Sequence, residues 1–226
     1  MVTFGSYNST GMDIAKIKWI KDIIIEHEID FFAVQEHFKN TKTTQKYFSD
    51  HFSDKRCFVT PAVRAPGQTV GRCAGGLLQL SDKSLTTKID KLAQKSFRIQ
   101  AQILHISASK ILWVTTYLPN DPGPASAAWD ETELLICLAQ VESLLTSTTH
   151  DEIVWAGDLN WDMGRNTRFA TIVSSFMDRL GLVPVWSHFP VDYTHIHTDY
   201  KSTSTLDHFI VSPRLLPLIE DSRVIH

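Results

Sequence analysis

Short apolar runs alternate with longer amphipathic segments along the whole chain, and this alternation limits the fold more than any other feature. Seven runs with the length and composition of β-strands lie at residues 2–8, 29–37, 75–81, 97–107, 110–119, 152–160 and 204–212. Four segments show helical spacing of apolar residues, at 13–28, 41–52, 130–147 and 167–182. Strands separated by helices predict an α/β architecture, and periodicity alone leaves open whether there is one sheet or two.

Two of the predicted helices carry end signals. Asp13 fits an N-cap, because its side chain is able to accept hydrogen bonds from the first turn of the helix at 13–28. Gly181 fits the C-cap of the helix at 167–182. The apolar face of that helix consists of Phe169, Ile172, Val173, Phe176 and Leu180.

The composition is that of an ordinary globular protein. With 226 residues, 43% hydrophobic and 21% charged, we expect one domain spanning residues 1–226. The longest apolar runs are too short for a membrane span, and the N-terminus lacks the features of a signal peptide. Cys57, Cys73 and Cys137 are widely spaced and odd in number, which fits neither a zinc site nor a disulfide framework and favours a reducing compartment.

The formal net charge of −3 argues against a protein that binds nucleic acid through its overall charge. Such a protein would need a local basic patch or a tethered partner. Two stretches are locally basic, residues 83–98 and the set Lys55, Arg56, Arg64 and Arg72. Each is either a patch of this kind or an ordinary solvated surface, and the sequence leaves both readings open.

Polar side chains stand at or near the ends of five apolar runs: Asn8, Glu36, Tyr117, Asp158 and Asp207. Each has a structural explanation by itself, such as a turn residue or an acid that accepts backbone N–H groups. Several carboxylates in one cleft would repel each other unless a cation neutralised them. Oxygen ligands without a Cys or His cluster favour Mg²⁺ or Mn²⁺, and such ions point to phosphate-ester chemistry.

The ordered segments YNSTG, VQEH, TTYLP, GDLN and STLDHFIVS resemble the endonuclease/exonuclease/phosphatase superfamily. The resemblance covers almost the whole chain. It implies a four-layer α/β sandwich of two packed mixed β-sheets flanked by helices. Within that superfamily, the segments GRCAGGLLQL, FRIQAQIL and YTHIH look most like the apurinic-like endonuclease domain of LINE-type (non-LTR) retrotransposons.

The resemblance also implies roles around a Mg²⁺ ion, with Mn²⁺ as a substitute. Glu36 would bind the metal, and Asn8 and Asp207 would complete the metal site or order its water shell. Asp158 would orient and deprotonate the attacking water. Trp161 and Asp162, which follow GDLN, carry no assigned role and are expected to pack at the rim.

Other residues are expected to contact phosphate. Asn160 would hold the scissile phosphate and Tyr117 would donate a hydrogen bond to it, while Thr194 and Ser204 resemble positions close to it. The loops at 58–76, after Asp162 and at 191–204 are expected to enter the DNA grooves. Phosphates elsewhere on the DNA would be contacted by Arg64, Arg72 and Arg165.

One superfamily motif is absent from the sequence. The final Ser-Asp-His would follow the STLDHFIVS strand, and the chain ends with a strand-like RVIH at His226. His208 is expected to point to the opposite face from Asp207, while His195 and His197 lie near the site. The sequence therefore predicts a domain that lacks its final strand and that cleaves DNA poorly unless it is extended.

The function implied is that of a Mg²⁺-dependent endonuclease that nicks one strand of double-stranded DNA in the nucleus. The nick provides a 3′-OH primer for target-primed reverse transcription by a reverse transcriptase region of the same polyprotein. The isolated domain is expected to be a monomer with no membrane partner. Two alternatives stay open: an apurinic-type repair endonuclease or other phosphodiesterase, and a catalytically weak or inactive nucleic-acid-binding fragment.

Overall fold

Two mixed β-sheets, a short hairpin and four α-helices make up the described part of the chain, which in this computed structural model comprises residues 1–64, 71–92, 96–121, 131–196 and 202–225. The first four strands are β1 (Phe4–Asn8), β2 (Phe31–Gln35), β3 (Lys55–Thr60) and β4 (Leu77–Asp82). They are followed by β5 (Lys88–Lys91), β6 (Ile99–Ile106), β7 (Ser109–Tyr117), β8 (Glu152–Asp158), β9 (Val183–Pro184), β10 (His195–Ile196), β11 (Thr203–Ser204) and β12 (Asp207–Val211). The helices are α1 (Ile14–Glu26), α2 (Thr44–His51), α3 (Thr132–Ser147) and α4 (Arg168–Leu180).

Both sheets mix parallel and antiparallel pairs. The first has the order β1-β2-β4-β3, in which only β1 and β2 are parallel. The second has the order β5-β6-β7-β8-β12-β9, in which β7 and β8 are parallel. Strands β10 and β11 form the separate hairpin. Among the described strands β1 pairs with β2 alone, so its other edge is left without a neighbouring strand.

Three apolar clusters show that the layers stack as helix, sheet, sheet, helix. On one side α1 and α2 pack on the first sheet, in a cluster that includes Ile20 and Leu78. Between the sheets Phe31 and Trp113 meet edge to face, with their ring centroids 5.5 Å apart. On the other side α3 and α4 cover the second sheet around Trp155. The predicted four-layer α/β sandwich is therefore confirmed.

The predicted helix ends are also confirmed. The Asp13 side chain caps α1 by accepting the backbone N–H of Lys16 at 2.8 Å. Gly181 ends α4 in the left-handed conformation, with φ 63°. Within the described ranges, none of the helices has both the length and the apolar character needed to cross a bilayer.

Strands β3 and β5 are not anticipated by the sequence pattern, because both fall in the locally basic stretches. Lys55 begins β3 with its side chain 10% exposed and its ammonium 2.6 Å from Asp82. Arg56 donates to the carbonyl oxygen of Leu85 at 2.8 Å, which ties β3 to the turn before β5. Lys55 and Arg56 therefore make structural contacts, and we no longer expect them to form part of a basic patch.

The strand expected at the end of the chain is not present in the described residues. Residues 219–225 form no strand, and they follow a short 3₁₀ helix at Leu216–Leu218. The prediction of a strand-like RVIH is therefore wrong for residues 223–225. Its last residue, His226, lies outside the described residues.

Candidate active site

The five polar side chains at the strand ends come together on one edge of the sandwich. The parallel strands β1 and β2 end side by side at Asn8 and Gln35, just before Glu36. Strands β7 and β8 end with Tyr117 beside Asp158, and Asp207 at the start of β12 is the antiparallel partner of Asp158. All five predicted residues line one cavity of about 1220 Å³, here called the strand-end cavity.

Asn8 joins the two sheets at this cavity. Its side-chain nitrogen donates to Glu36 Oε2 at 3.1 Å and to Asp158 Oδ2 at 2.7 Å. Its side-chain oxygen accepts the backbone N–H of Thr10 at 2.9 Å. The geometry shows that Asn8 orients two carboxylates, and its place in the metal site stays a prediction.

Glu36 and Asn160 both adopt a backbone conformation that side chains rarely take. Their φ values are 55° and 48°. The carbonyl oxygen of Glu36 accepts the N–H of Gly11 at 2.7 Å, and the N–H of His37 donates to Gly76. Strained residues of this kind persist where surrounding contacts hold them, and they concentrate at functional sites. The same conformation occurs at Thr10, Glu28, Phe38 and Ser107, so by itself it does not mark Glu36 and Asn160 as functional residues.

Asp158 and Asp207 face each other on neighbouring strands and are both withdrawn from water. The pKa of Asp158 is raised by burial and then by the charge of Asp207, and hydrogen bonds from Asn160 and Asn8 oppose the increase. Burial also raises the pKa of Asp207, and a hydrogen bond from Thr194 opposes it. Asp207 Oδ1 is buried with no hydrogen-bond partner. A cation between these carboxylates would relieve both the burial and the repulsion.

The side chains at the cavity meet the ligand requirements of Mg²⁺ only together with water or phosphate. Among the residues that the structure describes, no three His, Cys, Asp or Glu side chains are grouped closely enough to enclose an ion by themselves. Mg²⁺ usually takes one or two carboxylates and keeps water or phosphate in its other positions, so a complete protein cage is not required. The unpartnered Oδ1 of Asp207 and the all-oxygen character of the site fit such an ion.

Asn160 is held on both sides in the loop after β8. Its backbone N–H donates to Asp158 Oδ1 at 2.9 Å, and its side-chain nitrogen donates to the carbonyl oxygen of Leu118 at 2.9 Å. Asn160 is 9% exposed. An amide nitrogen carries two protons, so the contact with Leu118 leaves one for a phosphate oxygen.

Tyr117 remains a hydrogen-bond donor at neutral pH. Burial raises the pKa of its phenol, and the charge of Glu36 and a hydrogen bond to Glu36 raise it further. Arg98 partly offsets this, because its guanidinium lies over the Tyr117 ring at 4.9 Å and donates to the Tyr117 carbonyl oxygen at 3.3 Å. Sequence reasoning missed Arg98, and its only signal is its place in the basic stretch at 83–98.

The structure separates the predicted phosphate-binding residues into two groups. Arg72, Arg165 and Thr194 line the strand-end cavity, as does His195. Ser204 and Arg64 do not: Ser204 is 4% exposed in the β10–β11 hairpin, and Arg64 donates to the carbonyl oxygen of Gly71 at 3.0 Å. His197 lies outside the described residues. Polar cavity residues that the sequence did not single out include Thr10, Asn120 and Asp121.

The two residues after GDLN differ in their environments. Trp161 is 4% exposed and belongs to the core beneath α3 and α4, so the expectation that it packs at the rim is wrong. A tryptophan beside a polar loop gives no sequence signal of burial. Asp162 accepts the N–H of Gly164 at 2.9 Å and lies 3.5 Å from Arg165.

Solved structures with the same fold cover nearly the whole chain. An AP endonuclease from Leishmania major is 17% identical with a TM-score of 0.68, and the match covers 96% of this chain and 80% of that one. The endonuclease domain of TRAS1, a telomere-specific non-LTR retrotransposon, is 14% identical with a TM-score of 0.66, covering 97% and 88%. A 3′-5′ exonuclease from Neisseria meningitidis is 14% identical with a TM-score of 0.70, covering 97% and 90%.

No protein-family model and no curated protein matches the sequence. At these identities the likeness to solved structures concerns the fold. The chain has the fold of the endonuclease/exonuclease/phosphatase superfamily, which the order of its motifs predicted.

Proposed function

We propose that this chain is a Mg²⁺-dependent endonuclease that nicks one strand of double-stranded DNA. The observation that carries the proposal is the contact of Asn8 with both Glu36 and Asp158, which assembles one oxygen-lined site from two sheets. Asp207 adds a third carboxylate beside Asp158 in the same cavity. A site of this composition suits the hydrolysis of a phosphodiester.

The roles of the residues follow from their positions. Asp158 accepts a proton from the water that attacks phosphorus, and the hydrogen bonds from Asn8 and Asn160 orient its carboxylate for this role. Asn160 and Tyr117 donate hydrogen bonds to the phosphoryl oxygens as negative charge builds on them. Glu36 and Asp207 would hold a Mg²⁺ ion, which would supply Lewis-acid stabilisation of that charge. The new P–O bond replaces the bond to the 3′ oxygen, so the products are a 5′-phosphate and a 3′-OH.

The biological setting follows from the same proposal. A free 3′-OH at a nick is the primer that target-primed reverse transcription requires, so the reverse transcriptase region of the same polyprotein is the expected partner. The site of action would then be nuclear. Resemblance of the motifs to non-LTR retrotransposon endonucleases supports this setting, and the fold shared with the TRAS1 domain agrees with it.

The direct test is the conversion of supercoiled plasmid to the nicked circle. We expect slow nicking, because the Ser-Asp-His motif is absent from this sequence, and this nicking should require Mg²⁺ or Mn²⁺. It should fall by a further factor of about 10² or more in Glu36→Gln, since one well-placed stabilising group is lost. Glu26→Gln is the matched control, because Glu26 is exposed on α1 and does not itself line the strand-end cavity. Nicking that persists in a chelator, or equally in both variants, would contradict the proposal.

The same assay separates the alternatives. Cleavage confined to abasic sites would indicate a repair endonuclease. Hydrolysis of small phosphoesters without DNA nicking would indicate another phosphodiesterase. Metal-independent DNA binding without any cleavage would indicate an inactive binding fragment.

Arg72 and Arg64 provide a second test, on DNA binding. Arg72 lines the strand-end cavity with its guanidinium stacked 3.7 Å above the Phe38 ring, whereas Arg64 does not line it. We expect Arg72→Ala to weaken DNA binding and to lower its salt dependence by about one released counterion. Arg64→Ala should leave both unchanged. Fluorescence anisotropy of labelled duplex DNA across a salt series measures the two quantities, and equal losses in both variants would contradict the assignment.

A further inference from the structure

His208 is a buried polar side chain that the proposed reaction does not use. It is 1% exposed and follows Asp207 in β12. Its Nε2 is 2.6 Å from the carbonyl oxygen of Trp161 and 3.1 Å from that of Thr205. Its Nδ1 is buried without a hydrogen-bond partner. The ring therefore carries its proton on Nε2 and donates it to two carbonyl groups.

Those two carbonyl groups belong to the two segments that carry the site. Trp161 directly follows Asn160, and Thr205 lies two residues before Asp207. A further hydrogen bond joins the same two segments, because the backbone N–H of Leu159 donates to the carbonyl oxygen of Leu206 at 2.9 Å. His208 thus closes the loop after β8 against the turn before β12.

The loop after β8 needs such support. Asn160 has a φ of 48°, and strain of this kind persists only where neighbouring contacts fix the backbone. The Trp161 ring packs against the His208 ring with centroids 5.1 Å apart, and both side chains are almost fully buried. A loss of the His208 contacts would free the Trp161 carbonyl and allow Asn160 to relax.

We propose that His208 is a positioning residue that holds Asn160 in its strained, phosphate-facing conformation. This inference rests on the proposed role of Asn160 in the reaction. Both hydrogen bonds that the His208 ring makes go to backbone carbonyl oxygens, so it acts through the backbone of Trp161. Side chains that orient primary groups in this way typically account for about 10- to 100-fold in activity.

The chain offers a graded set of variants. Glutamine is able to place an N–H close to the position of the histidine Nε2, whereas leucine fills the space without a donor. We expect His208→Leu to lower the kcat for plasmid nicking about 10- to 100-fold with KM nearly unchanged, and His208→Gln to recover most of the loss. Val141→Ala, a core change in α3 away from the site, controls for the loss of thermal stability alone.

A double-mutant cycle tests whether His208 acts through Asn160. In an Asn160→Ala background, His208→Leu should change kcat by less than about twofold, because the group that it positions is already gone. If the two losses multiply instead, His208 has a general structural role and the inference is overturned. The same holds if Val141→Ala, at equal thermal midpoint, lowers kcat as much as His208→Leu.

Hydrogen exchange gives a readout that does not depend on activity. The N–H groups of Asn160 and Leu159 are bonded to Asp158 Oδ1 and Leu206 O, so both should be protected. His208→Leu should speed their exchange at least about 10-fold while helix α3 keeps its protection, and Val141→Ala should not. Unchanged exchange at both amides overturns the inference. A wild-type chain without nicking activity contradicts the proposed function, and the exchange experiment then decides the role of His208 by itself.

Discussion

Replacing Asp158 by asparagine should remove nicking activity and, at the same time, remove a loss of stability that the metal-free protein suffers as pH rises. The loss of a general base typically lowers the rate about 10²- to 10⁴-fold. Asparagine keeps the shape of the side chain but cannot accept the proton of the attacking water. Plasmid nicking with saturating Mg²⁺ measures the first effect. Asp178→Asn, an exposed change on α4, should retain full activity.

The pH dependence of stability follows from the burial of Asp158 and its position opposite Asp207. Both effects raise the pKa of Asp158 in the folded protein above its pKa in the unfolded chain. At pH values between these two pKa values, the folded state keeps a proton on Asp158 that the unfolded state has lost. The free energy of unfolding of the wild type therefore decreases as pH rises through that range. Asparagine does not titrate, so it avoids this loss.

Thermal unfolding in a chelator, at pH near 3.5 and at pH 7, checks the sign. The stability of Asp158→Asn relative to the wild type should be higher at pH 7 than at the lower pH. Each kcal/mol of that relative gain should raise the midpoint by about 2–4 °C for a chain of this size. A relative stability that does not increase with pH would contradict the account of the paired carboxylates.

Replacing Gly157 by alanine should prevent stable folding. Gly157 lies opposite Thr116 in the parallel β7–β8 pair, with φ 146°. A Cβ atom at this position would overlap the backbone carbonyl oxygen of Thr116, which is not free to move within the sheet. The strain and the overlap together should cost more than about 3 kcal/mol.

Gly164→Ala is the matched control for this change. Its Cβ atom would come near a single atom within 4 Å outside its immediate neighbours, Asp162 Oδ1 at 3.3 Å, and it lies in an exposed loop. Urea denaturation should show a near-wild-type midpoint for Gly164→Ala and a large loss, or insoluble protein, for Gly157→Ala. A stable Gly157→Ala protein would show that the close approach of β7 and β8 is not required.

Much of the fold was predictable because its signals are local. The spacing of apolar residues identifies the four helices, and the ends of α1 and α4 follow from Asp13 and Gly181. The strands that were not anticipated lack such a signal. Strand β3 begins with Lys55 and Arg56, whose partners lie in a distant turn, and β9, β10 and β11 are only two residues long.

The candidate site was partly predictable for the same reason. A polar residue at the end of an apolar run is visible in the sequence, and Asn8, Glu36, Tyr117, Asp158 and Asp207 do line one cavity. The roles proposed for them stay predictions. The sequence did not show that Arg72 lines the cavity and Arg64 does not. Both arginines lie in one basic stretch, and only the tertiary structure distinguishes their positions.

The sequence by itself determined the alternation of strands and helices and the set of polar strand ends, because each depends on residues that are close along the chain. The tertiary structure decided how those ends meet. Asn8 reaches Asp158 across 150 positions of sequence, and only the packing of the two sheets brings them to 2.7 Å. The pairing of Asp158 with Asp207 and the contact of His208 with Trp161 also depend on the tertiary structure. Strand pairing and sheet packing are non-local interactions, and the periodicity of the sequence does not encode them.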